Sequence, residues 1–192
     1  TYYKMDIKIT PSTIKGVVNA PPSKSYSHRY IIASFLSKTE GFIGCCAKSK
    51  DILATLNCLK NLGLIYTFER GGVSLKFDKA VENPIINCDE SGSTLRFLIP
   101  ILSALGVKCE FTGSKRLLER PIKDLTNCLN ENGAEIDGLK LNGKLKSGKF
   151  TINGGVSSQF ITGLLFALPL LNGDSVIEIV GEIVSQNYID IT

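Results

Sequence analysis

Histidine, methionine and tryptophan are nearly absent from this chain, which has one, one and none of them among its 192 residues. Without histidine partners, the six cysteines do not form the usual kind of zinc site, and none of them belongs to a C-x-x-C pair. We therefore expect no metal site. The cysteines lie next to apolar residues, which predicts buried free thiols in a reducing cytoplasm.

Long apolar runs and blocks of like charge are also missing. No apolar stretch reaches the roughly 18 residues that a membrane span needs, and the first residues do not resemble a signal peptide. We interpret Met5 as the natural start, with residues 1–4 foreign to it. The net charge of +4 is mild and evenly spread. These features predict no membrane or nucleic-acid partner but are compatible with a small anionic ligand.

Three apolar helices are predicted to begin with hydroxyl-rich segments. They start at Ser23, Ser91 and Ser157, spaced by 68 and then 66 residues, and segments 56–63 and 126–133 resemble each other as well. This spacing indicates an internal repeat of a large supersecondary unit, longer than solenoid repeats. Free N–H groups at helix starts favour anions. Lys24 and Arg29 are unfavourable for the helix dipole there unless an anion completes the site.

Apolar spacing, capping residues and turn residues predict the same order of elements in each unit. The predicted strands are 5–10, 14–18, 41–45, 85–88, 107–112, 149–152 and 175–180, with hairpins at 64–77 and 134–141. The predicted helices are 24–37, 49–63, 92–105, 121–132 and 158–171, with Pro121 in the first turn of the fourth. The helices at 24–37, 92–105 and 158–171 are apolar on nearly all faces, which predicts α/β architecture with helices buried and sheets outside. Pro100 predicts a kink or a lost hydrogen bond in its helix.

The motifs resemble those of the 3-phosphoshikimate 1-carboxyvinyltransferase (EPSP synthase) family across nearly the whole chain. The matching segments are Pro-Pro-Ser-Lys24-Ser25-Tyr-Ser-His-Arg29, Glu90-Ser-Gly92-Ser-Thr-Leu-Arg96, Leu118-Glu119-Arg120-Pro121, Gly155-Val-Ser157-Ser158-Gln159-Phe160 and Ser185-Gln-Asn-Tyr188-Ile-Asp-Ile-Thr. The resemblance implies an inside-out α/β barrel of βαβαββ units in each of two lobes. Residues 1–20 would then belong to the companion lobe, and 21–192 would form a substrate-binding lobe with an incomplete third unit and no second lobe.

The resemblance also implies a reaction and a role for each matching position. The reaction transfers an enolpyruvyl group from phosphoenolpyruvate to the 5-hydroxyl of shikimate 3-phosphate and releases phosphate, without a metal or an organic cofactor. Lys24 would be catalytic, between the two substrates. Ser25 and Arg29 would hold shikimate 3-phosphate, Arg29 through the carboxylate. The remaining implied binding residues are Gly92 and Arg120 for phosphoenolpyruvate, Ser157, Ser158 and Ser185 for the phosphate of the sugar acid, Gln159 for both substrates and Tyr188 for the shikimate site.

Several features stay open at the level of sequence. The family often has Asn at Glu90, Pro at Phe97 and Lys-Pro at 186–187, and its acid/base carboxylates lie in the second lobe. We therefore expect this chain to bind but not to turn over, and the full-length protein to be monomeric. The alternatives are a relative of UDP-N-acetylglucosamine enolpyruvyl transferase and a noncatalytic lobe that binds a phosphorylated ligand.

The remaining charged residues receive structural interpretations. We expect a non-catalytic His28 at the helix surface. Arg96 could face the ligand, but we favour a structural ion pair. We expect solvated side chains at Lys115 and Arg116. Asp51 and Asp124 are interpreted as carboxylates of a first helical turn rather than as bases.

Overall fold

Serine residues begin most helices of this chain. The computed structural model describes residues 7–13 and 15–192. The helices are α1 (Lys24–Ser37), α2 (Lys50–Lys60), α3 (Gly92–Leu105), α4 (Lys115–Leu118), α5 (Lys123–Asn130), α6 (Ser158–Ala167) and α7 (Gln186–Asp190). In all but α5 and α7, the hydroxyl of the preceding serine accepts a hydrogen bond from a backbone N–H of the first turn. None of these helices has the length and apolar character that a membrane span requires.

Nine short strands form three sheets in the described part of the chain. They are β1 (Gly41–Gly44), β2 (Leu64–Glu69), β3 (Gly72–Phe77), β4 (Ile85–Asn87), β5 (Cys109–Thr112), β6 (Ile136–Asp137), β7 (Lys140–Leu141), β8 (Lys149–Asn153) and β9 (Val176–Val180). The strand orders are β1-β3-β2, β4-β5-β7-β6 and β8-β9. The predicted mixed α/β class is confirmed.

The sheet topology repeats along the chain. The antiparallel order β1-β3-β2 of the first sheet recurs as β5-β7-β6 in the second. Strands β4 and β5 are parallel and flank α3, and β8 and β9 are parallel and flank α6. The second unit therefore has all the strands of a βαβαββ unit. Within residues 7–13 and 15–192, the first unit lacks the opening strand, and the third has the first β-α-β followed by the short helix α7.

Helices α3 and α6 form the centre of the core. Eleven of the 14 residues of α3 are buried, and its most extensive helix packing is against α6. This agrees with the apolar pattern on all faces of α3. Helix α1 differs, because Tyr26 and Tyr30 stack on each other at an exposed face. The prediction that α1 is buried all round is therefore wrong.

Gly163 lets α6 approach α3 at Pro100. A proline has no N–H, so the carbonyl of Arg96, four residues earlier, has no intrahelical donor. A Cβ atom on Gly163 would lie 2.6 Å from this carbonyl oxygen and 2.7 Å from Cγ of Pro100. The two helices therefore come together where one presents a proline and the other has no side chain.

The two strands predicted near the N-terminus are not observed in residues 7–10 and 15–18; residues 5, 6 and 14 lie outside the described residues. The alternation of apolar residues suggested strands, but Ile7, Ile9, Val17 and Val18 are all exposed, between 77% and 98%. A strand needs a neighbouring strand to pair with, and the described residues offer these segments none.

Two helix ends differ from their predicted positions. The fourth predicted helix begins at Lys123 rather than Pro121, and a separate short helix, α4, precedes it. The helix predicted to reach residue 171 ends at Ala167 and continues as a 3₁₀ turn, Leu168–Leu170. Pro169 within that turn cannot donate the hydrogen bond that another α-helical turn requires. The short helix α7 was not predicted.

Candidate active site

The hydroxyl-rich starts of α1, α3 and α6 converge on two adjoining cavities. The first encloses about 360 Å³ and the second about 380 Å³. Lys24, Ser93, Arg96 and Gln159 line both, so these four side chains form the wall between them. All ten residues singled out from the sequence line one or both cavities: Gly92 and Arg120 line the first, Ser25, Arg29, Ser157, Ser158, Ser185 and Tyr188 the second, and Lys24 and Gln159 both.

The charge of the two cavities differs. Five cations line the first cavity together with the carboxylates of Asp51, Asp89 and Glu90. The second cavity has three cationic side chains and no acidic one among its described lining residues. Cationic groups and helix N-termini in both cavities favour anionic ligands.

Arg29 is the most enclosed cation of the second cavity, with 7% of its surface exposed. Its Nε donates to Thr192, its Nη1 to the carbonyl of Ser25, and its Nη2 to Thr162 and to the carbonyl of Tyr188. Burial lowers the pKa of this guanidinium. All four acceptors are uncharged, and one N–H of Nη1 remains. A buried guanidinium without a carboxylate favours an anion in the cavity beside it.

Lys24 forms an ion pair with a carboxylate that also lines the first cavity. Its Nζ lies 2.9 Å from Oδ2 of Asp51, in the first turn of α2. Burial would raise the pKa of Asp51, but hydrogen bonds from Lys24 and Ser91 outweigh it and hold the pKa below its ordinary value. Asp51 is thus a helix-start carboxylate, as predicted, and in addition holds Lys24. An anion in the first cavity would compete with Asp51 for the ammonium group.

At the start of α3, the side chains of Arg96 and Arg120 lie near the backbone of Gly92, which has no side chain. A Cβ on Gly92 would lie 2.6 Å from Nη1 of Arg120 and 3.7 Å from Nη1 of Arg96. Among the described residues, Arg96 has no ion pair, so its prediction as a structural ion pair is wrong. It donates instead to Oε1 of Gln159 at 2.8 Å. Burial and the charge of Arg120 lower its pKa.

Hydroxyl groups line the second cavity beside the start of α6. Ser157 accepts the N–H of Gln159 at 3.3 Å and so keeps its own hydrogen for a ligand. Ser158 is buried in the first turn, and Ser185 precedes α7 with a φ of 57°. The side chain of Tyr188 is 48% exposed. Three hydroxyls beside a helix N-terminus match the oxygens of a phosphate group.

His28 is buried, not at the helix surface as predicted; 1% of its surface is exposed. It packs edge-on against Phe97, and its Nδ1 lies 2.9 Å from Oγ1 of Thr55. Oγ1 of Thr55 lies 2.7 Å from Oγ1 of Thr94, which donates to Ser91 at 2.7 Å. Each threonine has one hydroxyl hydrogen, so this direction makes Thr55 the donor to Thr94 and Nδ1–H of His28 the donor to Thr55.

This chain of hydrogen bonds connects the two cavities, since His28 lines the second cavity and Ser91 lines the first. Nε2 of His28 is buried and has no hydrogen-bond partner among the described residues. Burial, above all, lowers the pKa of His28 to about 4. The imidazole is therefore neutral at pH 7, and the chain ties α1, α2 and α3 together without adding charge.

The site also contains residues that were not among the ten predicted from the sequence. Ser93 and Arg96 line both cavities, and their position in the repeated motif was the available signal. Thr162 and Thr192 contact Arg29 but were missed, because nothing in a lone threonine marks it as a partner. Lys115 and Arg116 are exposed, as predicted, although Arg116 also lines the first cavity.

No set of metal ligands is present in the part of the chain that the structure describes. It contains no group of three or more histidine, cysteine or acidic side chains arranged to hold an ion. Five of the six free cysteines are buried and Cys45 is exposed, so the prediction of buried thiols holds for all but one. Cationic side chains outnumber the three carboxylates that line the first cavity, and hydroxyl, amide and backbone N–H groups complete the site, which suits two small anions side by side.

The comparisons with known proteins point to one family. The family model described as EPSP synthase (3-phosphoshikimate 1-carboxyvinyltransferase) matches residues 9–192. The chain is 45% identical to the 3-phosphoshikimate 1-carboxyvinyltransferase of Clostridium kluyveri, covering 97% of this chain and 46% of that protein. The corresponding protein of Clostridium perfringens is 43% identical, covering 96% and 46%.

A solved structure shares the fold. The EPSP synthase of Acinetobacter baumannii superimposes with a TM-score of 0.75 at 21% identity, covering 91% of this chain and 42% of that one. The chain thus spans about half the length of the curated relatives it matches. The match of the family model over residues 9–192 shows that this chain belongs to the EPSP synthase family.

Proposed function

We propose that this chain supplies half of the active site of an enzyme that transfers an enolpyruvyl group from phosphoenolpyruvate to the 5-hydroxyl of shikimate 3-phosphate. The observation that carries the proposal is the pair of adjoining cavities lined by all ten motif residues. In this assignment phosphoenolpyruvate occupies the first cavity and shikimate 3-phosphate the second. Their shared wall would place the two reacting groups next to each other.

The reaction requires the 5-hydroxyl to lose its proton and its oxygen to add to C2 of phosphoenolpyruvate while C3 gains a proton. The resulting tetrahedral adduct then loses phosphate as C3 gives up a proton. Lys24 lies in the shared wall, and its ammonium group would leave Asp51 to contact both substrates as the catalytic cation. Arg120 and the backbone at Gly92 would hold the phosphoenolpyruvate anion, where fixed donors stabilise the developing charge.

The second cavity would orient the sugar acid from its two anionic ends. Ser157, Ser158 and Ser185 would bind its phosphate, and Ser25 and Tyr188 would line the ring. Arg29 would bind the carboxylate. Since only one N–H of Arg29 is unused, a two-pronged contact requires Nη2 to release the carbonyl of Tyr188 or the hydroxyl of Thr162.

We also propose the architecture that the family resemblance implies. The repeated β-α-β-α-β-β order and the burial of α3 support an inside-out barrel with its sheets outside. Residues 1–20 would belong to a companion lobe, consistent with the exposure of Ile9 and Val17. The six free cysteines support a cytoplasmic location. The full-length protein is proposed to be monomeric.

Calorimetric titration of the 192-residue chain with shikimate 3-phosphate tests the assignment of the second cavity. We expect saturable binding that Arg29→Ala weakens by about 10- to 100-fold, because a charge-assisted hydrogen bond contributes about 1.5–3 kcal/mol. Arg70→Ala removes an exposed arginine outside both cavities and should leave the affinity unchanged.

Other ligands and an activity assay separate the alternatives. Binding of UDP-N-acetylglucosamine instead of shikimate 3-phosphate would contradict the proposal and favour the UDP-sugar transferase. We expect no phosphate release from this chain alone, because the family's acid/base carboxylates are expected in the second lobe. A complete polypeptide that binds both substrates without releasing phosphate would indicate a noncatalytic lobe.

Asp51→Asn should strengthen binding of phosphoenolpyruvate to this chain severalfold. The substitution releases Lys24 from its ion pair and removes a negative charge from the first cavity. Asp89→Asn is the matched control, because it removes the same charge from the same cavity without freeing Lys24. Titrations at low ionic strength would measure both. Equal gains in the two variants would mean that the ion pair does not restrain Lys24.

A further inference from the structure

Arg96 is a half-buried cation whose observed partners are all neutral. Nη1 donates to Gln159 at 2.8 Å, and Nη2 lies 3.5 Å from the carbonyl of Pro121. The guanidinium lies over the ring of Phe160, 5.4 Å from its centroid. These contacts hold the side chain in one place, so it is not a freely solvated surface arginine.

The guanidinium of Arg96 also lies close to a like charge. Nη1 of Arg96 and Nη1 of Arg120 both approach the same point above Gly92. Within the part of the chain that the structure describes, neither arginine forms an ion pair. Two neighbouring guanidinium groups without a carboxylate repel each other, and an anion between them removes that repulsion.

The amide group of Gln159 is fixed at both ends. Its Oε1 accepts from Arg96, and its Nε2 donates to Oγ of Ser93 at 2.8 Å. The arginine has donors only, so the carbonyl end of the amide must face Arg96. One N–H of Nε2 then remains for a ligand, and the carbonyl oxygen, which would repel an anion, is occupied by the guanidinium of Arg96.

We infer that Arg96 is a positioning residue that orients Gln159 so that the remaining N–H of its amide is available to an anion in the cavities that it lines. Its charge acts together with Arg120 on the anion of the first cavity. Without Arg96, the amide of Gln159 is free to flip and present its oxygen. The inference rests on the proposed function for the identity of the anions, but the orientation of Gln159 exists without ligand.

The test uses the 192-residue chain and five variants, one of which is a control. Arg96→Gln removes the charge and the planar guanidinium donors, whereas Arg96→Lys keeps only the charge. Gln159→Ala removes the side-chain amide that Arg96 positions. The double variant Arg96→Gln/Gln159→Ala completes the cycle. Arg70→Gln is the matched control, since Arg70 is an exposed arginine that lines neither cavity.

The ligand readout is the affinity for phosphoenolpyruvate from calorimetry. We expect Arg96→Gln to weaken binding at least about tenfold, the magnitude of a charged hydrogen bond, and Arg96→Lys to restore only part of it. In the Gln159→Ala background the same substitution should cost severalfold less. Equal losses in both backgrounds, or a loss below twofold, would overturn the inference.

The second readout needs no ligand. The side-chain amide signals of Gln159 in an NMR spectrum of the free chain should shift in Arg96→Gln and stay in place in Arg70→Gln. Unchanged signals in Arg96→Gln would overturn the positioning role whatever the chain binds. Shifted signals in a chain that does not bind phosphoenolpyruvate would instead contradict the proposed function and leave the positioning role supported.

Discussion

Gly163→Ala is expected to lower the free energy of unfolding by about 2–3 kcal/mol. The new Cβ would lie 2.6 Å from the carbonyl oxygen of Arg96 and 2.7 Å from Cγ of Pro100. Both neighbours belong to the backbone or to a rigid ring, so neither moves aside as a flexible side chain does. The intrinsic preference of helices for alanine, about 1 kcal/mol, offsets only part of this cost. Urea denaturation at pH 7 measures the difference.

A control separates crowding from the general effect of replacing a glycine. Gly44→Ala places a Cβ 3.7 Å from the ring of Phe42, an ordinary contact, and should change the stability by less than about 0.5 kcal/mol. If Gly163→Ala is as stable as Gly44→Ala, α3 and α6 are not packed as closely as the structure shows. Because Arg96 lies in α3 and Gln159 in α6, a stable but shifted variant should also weaken the proposed binding of phosphoenolpyruvate.

The sequence predicted elements best where local chemistry decides them. Helix α3 runs from Gly92 to Leu105, as predicted, because Ser91 caps its start and Gly106 ends it with a φ of 69°. Prediction was wrong for the strands at residues 7–10 and 15–18, because a strand depends on a partner that local sequence does not specify. Helix α7 was missed for a related reason: at five residues it is too short to show periodicity.

The candidate site could be located from its motifs, but the partners of each side chain could not. The repeated helix starts gave some of the residues that line the cavities, and the family resemblance gave the others, such as Arg120, Ser185 and Tyr188. Nothing in the sequence indicated that Arg29 would be surrounded by neutral oxygens, or that Arg96 would hold Gln159. These contacts join residues 63 to 163 positions apart, and only the packing of α1, α3 and α6 brings them together.

Lowering the pH from 6.5 to 4 should remove up to about 3 kcal/mol of stability through His28 alone, since each pKa unit corresponds to about 1.4 kcal/mol. Burial lowers its pKa from 6.5 to about 4 in the folded chain. The unfolded chain therefore binds more protons between these values, so stability rises with pH across this window and is lost as the pH falls. The contribution is complete above pH 6.5.

The position that the added proton must take on His28 explains why stability is lost as the pH falls. Nδ1–H already donates to Thr55, so a second proton must go to Nε2, which is buried and has no acceptor among the described residues. Lys24 and Arg29 oppose the added charge, and Asp51 offsets only part of the cost. The pKa of Asp51 lies below its ordinary value, so its own protonation destabilises the fold only at lower pH.

Urea denaturation between pH 4 and 7 measures the effect, and the presence of a single histidine makes the assignment direct. His28→Gln should flatten the dependence in this window, whereas Asp124→Asn, at the exposed start of α5, should leave it unchanged. An NMR titration of the imidazole reads the same group independently of any variant. A pKa near 6.5 in the folded chain would show that His28 is reached by water. It would contradict both the buried chain of hydrogen bonds and the neutral imidazole beside the second cavity.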